Sequence, residues 1–336
     1  MPPIALCARS YCQFTWEGLV CWAHRSYRHS TAETEQAVGG HAVKIVSVGE
    51  VLWDVIGDKE YLGGAALNFS AHAARLGHTV FFVSAVGKDE RGSRVLARME
   101  ELGLSTRYIR QIDAYPTGVV TVELNAAGVP HFTLHHPAAY DAPELRESDL
   151  TQLLSPNPDW IYFGTLFQMS PQARQLTYRL IDSHCGARLL YDVNLRKDSY
   201  TVPLIRELMA RGQVVKLNDD EANSIDEMFG RPILSREDFC RHYAREYGWQ
   251  SVCVTSGEKG CAMLVEGEYA EAPGYAVDAR DTVGAGDAFA AAFIHGLSLR
   301  WPTAEIADFA NRVAALVASR PGGTPSWTIE EAHALG

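Results

Sequence analysis

Between Asp281 and Asp287 the chain reads DTVGAGD, and the residues that follow, AFAAAFIHGL, have the composition of a buried helix. Two carboxylates therefore flank a loop stripped of side chains at the mouth of a helix. A helix N-terminus carries unpaired N–H groups and a partial positive charge. Gly284, Ala285 and Gly286 would let an anion approach those N–H groups closely, which predicts a hole for a phosphate or for charge developing on one. An aspartate in the first helical turn stays ionised, and beside a bound anion it would only weaken binding. Asp287 makes sense there as a general base that takes the proton from a hydroxyl attacking phosphorus. The same residues also suit a plain helix start, with Asp281 as N-cap and Asp287 in the first turn. The loop alone leaves both readings open.

Other phosphate and cofactor signatures are missing. The sequence has no G-x-x-x-x-G-K-[ST], no G-x-G-x-x-G after a strand, no H-E-x-x-H and no HRD or DFG element.

The elements that must position the loop follow a regular alternation from Val43 onward. VKIVSVGEVLWDVI reads as a strand running into a polar end, and GGAALNFSAHAARLG (63–77) as a tight turn and a helix capped by Gly77. TVFFVSAVG predicts a buried strand, and DERGSRVLARMEELG an amphipathic helix. Two alternating segments, 117–126 and 129–140, predict a half-exposed hairpin turning at Ala127-Gly128. Strand–helix alternation then resumes and ends in two Ala-rich helices. Near-continuous Val/Ile/Leu strands, each followed by a helix, predict an α/β fold: a doubly wound, mostly parallel sheet sandwiched by helices, with a small β-lid from segments near 55–63 and 115–140. Ligands in such sheets bind beyond the carboxyl ends of the strands, and the candidate motifs all fall at such ends.

The chain has 336 residues, 47% hydrophobic, with a net charge of −11, which argues against a nucleic-acid binder. No apolar run reaches the ~20 residues of a membrane span. Seven cysteines without metal spacing are expected to be reduced thiols in a cytoplasmic protein. Residues 1–42 lack any sustained period and are expected to be a poorly ordered or adventitious extension, followed by one domain over 43–336.

DTVGAGDAF resembles the C-terminal signature of the ribokinase-like (pfkB) carbohydrate kinases, and GEVLWD…LGGAALNFSAHAARLG resembles their N-terminal one. The resemblance covers about residues 43–326, and the GEVLWD opening is most similar to the fructokinase branch. It implies an ATP- and Mg²⁺-dependent sugar kinase. Asp287 matches the catalytic base, and Gly284, Ala285 and Gly286 the anion hole. Asp54, Gly63, Gly64 and Asn68 match sugar-binding positions. Asn218 and Glu221 of LNDDEA match the family's N-x-x-E element in the magnesium–phosphate network, Glu221 through water. An acidic helix start would explain those residues too.

YDVNLR resembles D-x-N-x-R, with Asp192, Asn194 and Arg196 alternating on one face of a strand end. Arg196 would fork onto phosphate or substrate oxygens, or pair with an acid. Ser256, Gly257 and Gly260 of VTSGEKG match the nucleotide loop. Asn311 falls near adenine by resemblance, or on a helix surface. Asp281, Val283, Val317, Gly322 and Ser326 fall where relatives bind a monovalent cation such as K⁺.

The expected reaction is phosphorylation of a primary hydroxyl, D-fructose to fructose 6-phosphate, with ribokinase or 2-keto-3-deoxygluconate kinase as alternatives. A catalytically dead sugar- or nucleotide-binding scaffold is the alternative of another class, and an intact Asp287 with its anion loop speaks against it. The apolar alternation of the hairpin predicts a homodimer formed through the lids.

Overall fold

The computed structural model describes residues 42–124, 130–183 and 186–336. Residues 1–41 of the expected extension, the hairpin turn at Ala127-Gly128, and Cys7, Cys12, Cys21 and Cys185 lie outside the described residues. Cys240, Cys253 and Cys261 are free thiols buried in the core.

Strands β1 (Lys44–Val48), β2 (Leu52–Ile56) and β3 (Lys59–Gly63) lead into helix α1 (Ala65–Arg75), then β4 (Thr79–Gly87), α2 (Glu90–Glu101) and β5 (Ile109–Ile112). The hairpin is β6 (Gly118–Leu124) and β7 (Pro130–Leu134). It is followed by α3 (Glu147–Leu153), β8 (Trp160–Gly164), α4 (Pro171–Asp182), β9 (Arg188–Asp192), α5 (Val202–Arg211) and β10 (Val214–Asn218). The last third holds α6 (Asp219–Met228), α7 (Arg236–Tyr247), β11 (Ser251–Thr255), β12 (Cys261–Val265), β13 (Glu268–Ala272), α8 (Ala285–Leu299), α9 (Thr303–Ala318) and α10 (Ile329–Ala334).

Nine strands form one sheet in the order β13-β12-β11-β10-β9-β8-β1-β4-β5. It is parallel except at β12 and β13. One face is covered by α1, α2, α8 and α9, and the other by α3 to α7. This is the doubly wound α/β architecture expected. The strand order reverses beside β1, where β4 leaves in one direction and β8 in the other. Such a reversal opens a crevice at the carboxyl ends of β1 and β8.

The segment 43–56 departs from the expectation of one continuous strand. It is two strands in different sheets, and Asp54 belongs to the second, smaller sheet. Gly49 is where the chain leaves the main sheet: a Cβ there would lie 2.4 Å from Ala66 Cβ on α1. The backbone slips past α1 only because that position has no side chain. Glu50, buried, then turns its Oε1 to accept the Ala65 N–H at 3.1 Å, pinning the start of α1. The short strand β5 and helix α3 carry too little periodic pattern to be legible beforehand.

The four-stranded lid sheet runs β3-β2-β6-β7. Its register puts Asp54 opposite Tyr61 and Val120, and Val122 opposite Phe132. Leu52, Asp54, Ile56, Tyr61, Val122 and Phe132 therefore share one face. Trp53 lies on the other face, where its Nε1 donates to the Arg91 carbonyl of α2.

The lid is anchored at Gly118. A Cβ there would fall 2.5 Å from the Tyr140 ring and 2.9 Å from the Val51 carbonyl. Gly118→Ala is expected to cost about 1–3 kcal/mol through overpacking, seen as a fall of several degrees in Tm. An unchanged Tm would show that the lid base is not closely packed.

Candidate active site

Helix α8 begins at Gly284, whose φ of 78° lies in the left-handed region. A Cβ at Gly284 would sit 2.2 Å from the Gly323 carbonyl, so only glycine lets the two loops meet. The N–H groups of Gly286 and Asp287 have no protein acceptor among the described residues. Two free donors therefore stand at a helix N-terminus. Asp287 is buried in the first turn, and its Oδ2 accepts from Asn68 Nδ2 at 2.9 Å. Burial, reinforced by the negative charge of Asp192, pushes the Asp287 carboxyl up to about 6, against the pull of Lys216, Asn68 and Arg196.

Asn68 lies on α1, as does His72 one turn further on. Trp327 Nε1 donates to His72 Nδ1 at 3.0 Å, so the ring carries its proton on Nε2 and gives it to the Gly323 carbonyl, also 3.0 Å away. Burial holds this imidazole down at about 4, neutral at ordinary pH. One face of α1 thereby fixes both Asp287 and the loop that backs Gly284. His72 and Trp327 carry no motif, and the sequence pattern does not single them out.

Gly63, Gly64 and Asp54 converge at the other side of the cleft. A Cβ at Gly63 would lie 2.5 Å from Asp54 Oδ2, and one at Gly64 (φ 115°) 2.5 Å from the Glu50 carbonyl. Burial lifts Asp54 to about 6, with Arg196 pulling down and Asp281 pushing up.

The segment after β9 differs from the expected alternation. The strand ends at Asp192, and Asn194 takes a left-handed φ of 40° that turns the chain away. Asp192 instead faces inward, accepting from Tyr162 Oη at 3.2 Å and Lys216 Nζ at 3.1 Å. Asn194 and Arg196 line a small cavity with Glu50, Ala65, Tyr162 and Thr165, at the strand-order reversal.

Glu221 and Asn218 form a reciprocal capping box at the start of α6. The two Glu221 oxygens also accept from Asn218 N (2.9 Å) and Leu195 N (2.8 Å), tying the Arg196 segment to β10. The helix-start role is therefore present. Each oxygen keeps a further lone pair.

In the loop after β11, Gly257 and Gly260 have φ of 55° and 94°. The Gly260 backbone packs so closely on Ala272 and Pro273 that a Cβ would meet the Ala272 carbonyl at 2.0 Å. Ser256 Oγ is buried with no partner, as is Asn68 Oδ1. Asn311 is neither on a helix surface nor free. It is buried, and its amide donates to the Ala272 and Pro273 carbonyls at 3.2 and 3.1 Å. It therefore shapes this wall from behind.

The candidate cation ligands assemble only in part. Asp281 accepts from Val283 N and Gly322 N, both at 3.0 Å. The Val317 and Ser326 carbonyls instead accept from Arg320, through its N–H and its guanidinium respectively. A guanidinium at that corner opposes a second cation.

A family model, pfkB family carbohydrate kinase, matches residues 40–330. The chain belongs to the pfkB family of carbohydrate kinases. It is accordingly a sugar kinase, a phosphotransferase with an alcohol acceptor. This pfkB kinase is 28% identical over 273 residues to a fructokinase of Escherichia coli, covering 77% of this chain and 86% of that one. It is 29% identical over 271 residues to the aminoimidazole riboside kinase of Salmonella typhimurium, covering 76% and 81%. Its fold matches the crystal structure of a fructokinase with bound ATP from Xylella fastidiosa with a TM-score of 0.76, at 20% identity over 87% of this chain and 97% of that one. No helix among the described residues is long and apolar enough to cross a membrane.

Asn311→Ala is expected to lower stability by about 1–3 kcal/mol, because two buried carbonyls lose their donor. A variant of the kinase with unchanged Tm would return Asn311 to a ligand-only role.

Proposed function

We propose that this pfkB kinase transfers the γ-phosphoryl group of ATP to the primary 6-hydroxyl of D-fructose, with Asp287 as general base. The observation that carries the reading is the buried Asp287 carboxylate, oriented by Asn68 and set beside two free N–H donors. The sugar oxygen attacks phosphorus, its proton passes to Asp287, the bond to the β-phosphate oxygen breaks and ADP leaves. The Gly286 and Asp287 N–H groups stabilise charge on the transferring group. Asp54 and the free Asn68 Oδ1 accept hydrogen bonds from sugar hydroxyls, while Gly63 and Gly64 leave the space.

Nucleotide fits the wall of Ser256, Gly257 and Gly260, where Ser256 Oγ lacks a protein partner. The described residues contain no cluster of three or more Asp, Glu, His or Cys able to cage a metal. One carboxylate with spare lone pairs suits magnesium, which keeps most of its waters and relies on phosphates. Glu221 would hold that water shell, and the ion supplies charge neutralisation. No step is assigned to potassium.

A neutral sugar is favoured over an acidic one such as 2-keto-3-deoxygluconate. Arg196, exposed at the edge of the crevice, already offsets part of the charge of Glu50, Asp54 and Asp287. It has little charge left for a substrate carboxylate, and an unpaired buried charge is costly. Under saturating Mg·ATP, kcat/KM is expected to be highest for fructose among fructose, ribose and 2-keto-3-deoxygluconate. A tenfold preference for either competitor would overturn the fructose assignment.

Asp287→Asn is expected to lower turnover by ~10²–10⁴-fold. The same change should raise Tm at pH 7. The folded-state pKa of Asp287 lies above its unfolded value, so the folded chain binds the extra proton and stability falls as pH rises from about 4 to about 6. Wild-type turnover in this variant would remove Asp287 from its role, and a lowered Tm would contradict the sign.

The lid face bearing Asp54 also exposes Ile56 (48%), Tyr61 (43%) and Phe132 (58%). Val119 of the same hairpin lies on the opposite face with Trp53. This uncovered stripe supports a homodimer through the lids. Phe132→Asp is expected to shift sedimentation toward monomer at micromolar concentration. A wild-type chain that sediments only as monomer would overturn the dimer.

A further inference from the structure

Lys216 is the one charged residue in the otherwise apolar run VVKL of β10, in the middle of the parallel sheet. Its side chain is only 6% exposed. The register sets it directly beside Asp192 on β9, and its Nζ donates to Asp192 Oδ1 at 3.1 Å. Its ammonium lies under the anion loop: a Cβ built on Gly286 would be 3.1 Å from Lys216 Nζ, its sole close neighbour. A lysine in this position is costly to bury unless several acceptors repay the loss of water. Asp192 alone does not explain why the ammonium points at the Gly286 turn.

We propose that Lys216 is a positioning residue for phosphoryl transfer, a buried cation beneath the anion loop that keeps the Asp287 carboxylate ionised and aligned for proton abstraction. This inference rests on the reading of Asp287 as the base. The groups facing Asp287 from each packed element can be named. Helix α1 contributes Asn68 and the neutral His72, β8 the Tyr162 hydroxyl, β9 Asp192 and β10 Lys216. Farther charges are Glu50 after β1, Arg196 after β9, Glu221 on α6 and Asp281 before α8. Asp192 forms the ion pair with the Lys216 ammonium, and the charges of Glu221 and Asp287 favour it from farther off. Burial favours its neutral form, but the three acids outweigh that and raise its pKa above the ordinary lysine value, so it stays charged throughout the working range. Arg196 is exposed and its charge is screened by solvent, whereas that of Lys216 is not.

The test compares Lys216→Met, Lys216→Gln and Lys216→Arg in the full chain, using the best acceptor of the sugar panel. The readouts are the pH profile of kcat/KM and Tm. Either neutral variant is expected to move the acid limb upward by about one pH unit or more. Activity then falls about fivefold or more at pH 6 and recovers toward wild type at pH 8. Lys216→Arg should leave the limb near its wild-type position. A uniform loss at every pH with an unmoved limb would overturn the proposal. So would folding of Lys216→Arg alone, which would make the residue a structural ion-pair partner. If Asp287→Asn keeps turnover, the base assignment fails. If Asp287→Asn abolishes turnover and the limb does not move in the neutral Lys216 variants, the base assignment stands and this inference alone fails.

Discussion

Everything at the site depends on two helix N-termini meeting at one point. Helices α1 and α8 both start from a glycine with positive φ, Gly64 and Gly284, and both aim their first turns into the same crevice. Their meeting is sealed by the buried bond from Asn68 to Asp287 across 219 residues of sequence. Both helices are rich in small buried residues, Ala65, Ala66, Ala71 and Ala73 on one and Ala288, Ala290, Ala291 and Ala292 on the other, which suits a close seam. A longer side chain in that seam would push the axes apart and stretch a bond whose length decides where the carboxylate sits. Close packing of this kind tolerates added volume poorly.

The electrostatics of the crevice are unbalanced. Glu50, Asp54, Asp192, Glu221 and Asp287 converge on it, and among the described residues Lys216 and Arg196 oppose them. Burial raises Glu50, Asp54, Glu221 and Asp287 above their ordinary carboxyl range. Such an arrangement costs the folded state stability at neutral pH, as clustered buried carboxylates at functional sites commonly do. The backbone shares the load: three of the carboxylate oxygens, one on Glu50 and two on Glu221, accept main-chain N–H groups.

The glycine turn before α8 and the parallel sheet are legible in the sequence because both depend on residue type. Side-chain-free positions before a helix suit a close approach, and unbroken Val/Ile/Leu runs suit strands buried on both faces. Lys216 carries a signal that periodicity does not weigh: a lone lysine inside VVKL must find acids in the core. Asn311 reads as a ligand or a surface residue because no pattern reveals that an amide faces the carbonyls of Ala272 and Pro273. The split of β1 from β2 hides behind a continuous apolar run, and only the packing of Gly49 on Ala66 exposes it. The candidate cation set consists largely of backbone carbonyls, which leave no mark in side-chain chemistry. The occupation of two of them by Arg320 is visible only in three dimensions.

The contact between His72 and Trp327 spans 255 residues. The loop that backs Gly284 is held from α1 by His72, and Trp327 fixes the state of that imidazole. The crevice therefore needs pieces made early and pieces made late. A ribosome that has made the entire nine-stranded sheet still has a nascent chain without its finished crevice. The sheet strands end at Ala272, α8 begins at Ala285, and the clamp arrives only with residues 323 to 327. The order of synthesis thus keeps partial chains from closing this crevice until Trp327 has left the exit tunnel.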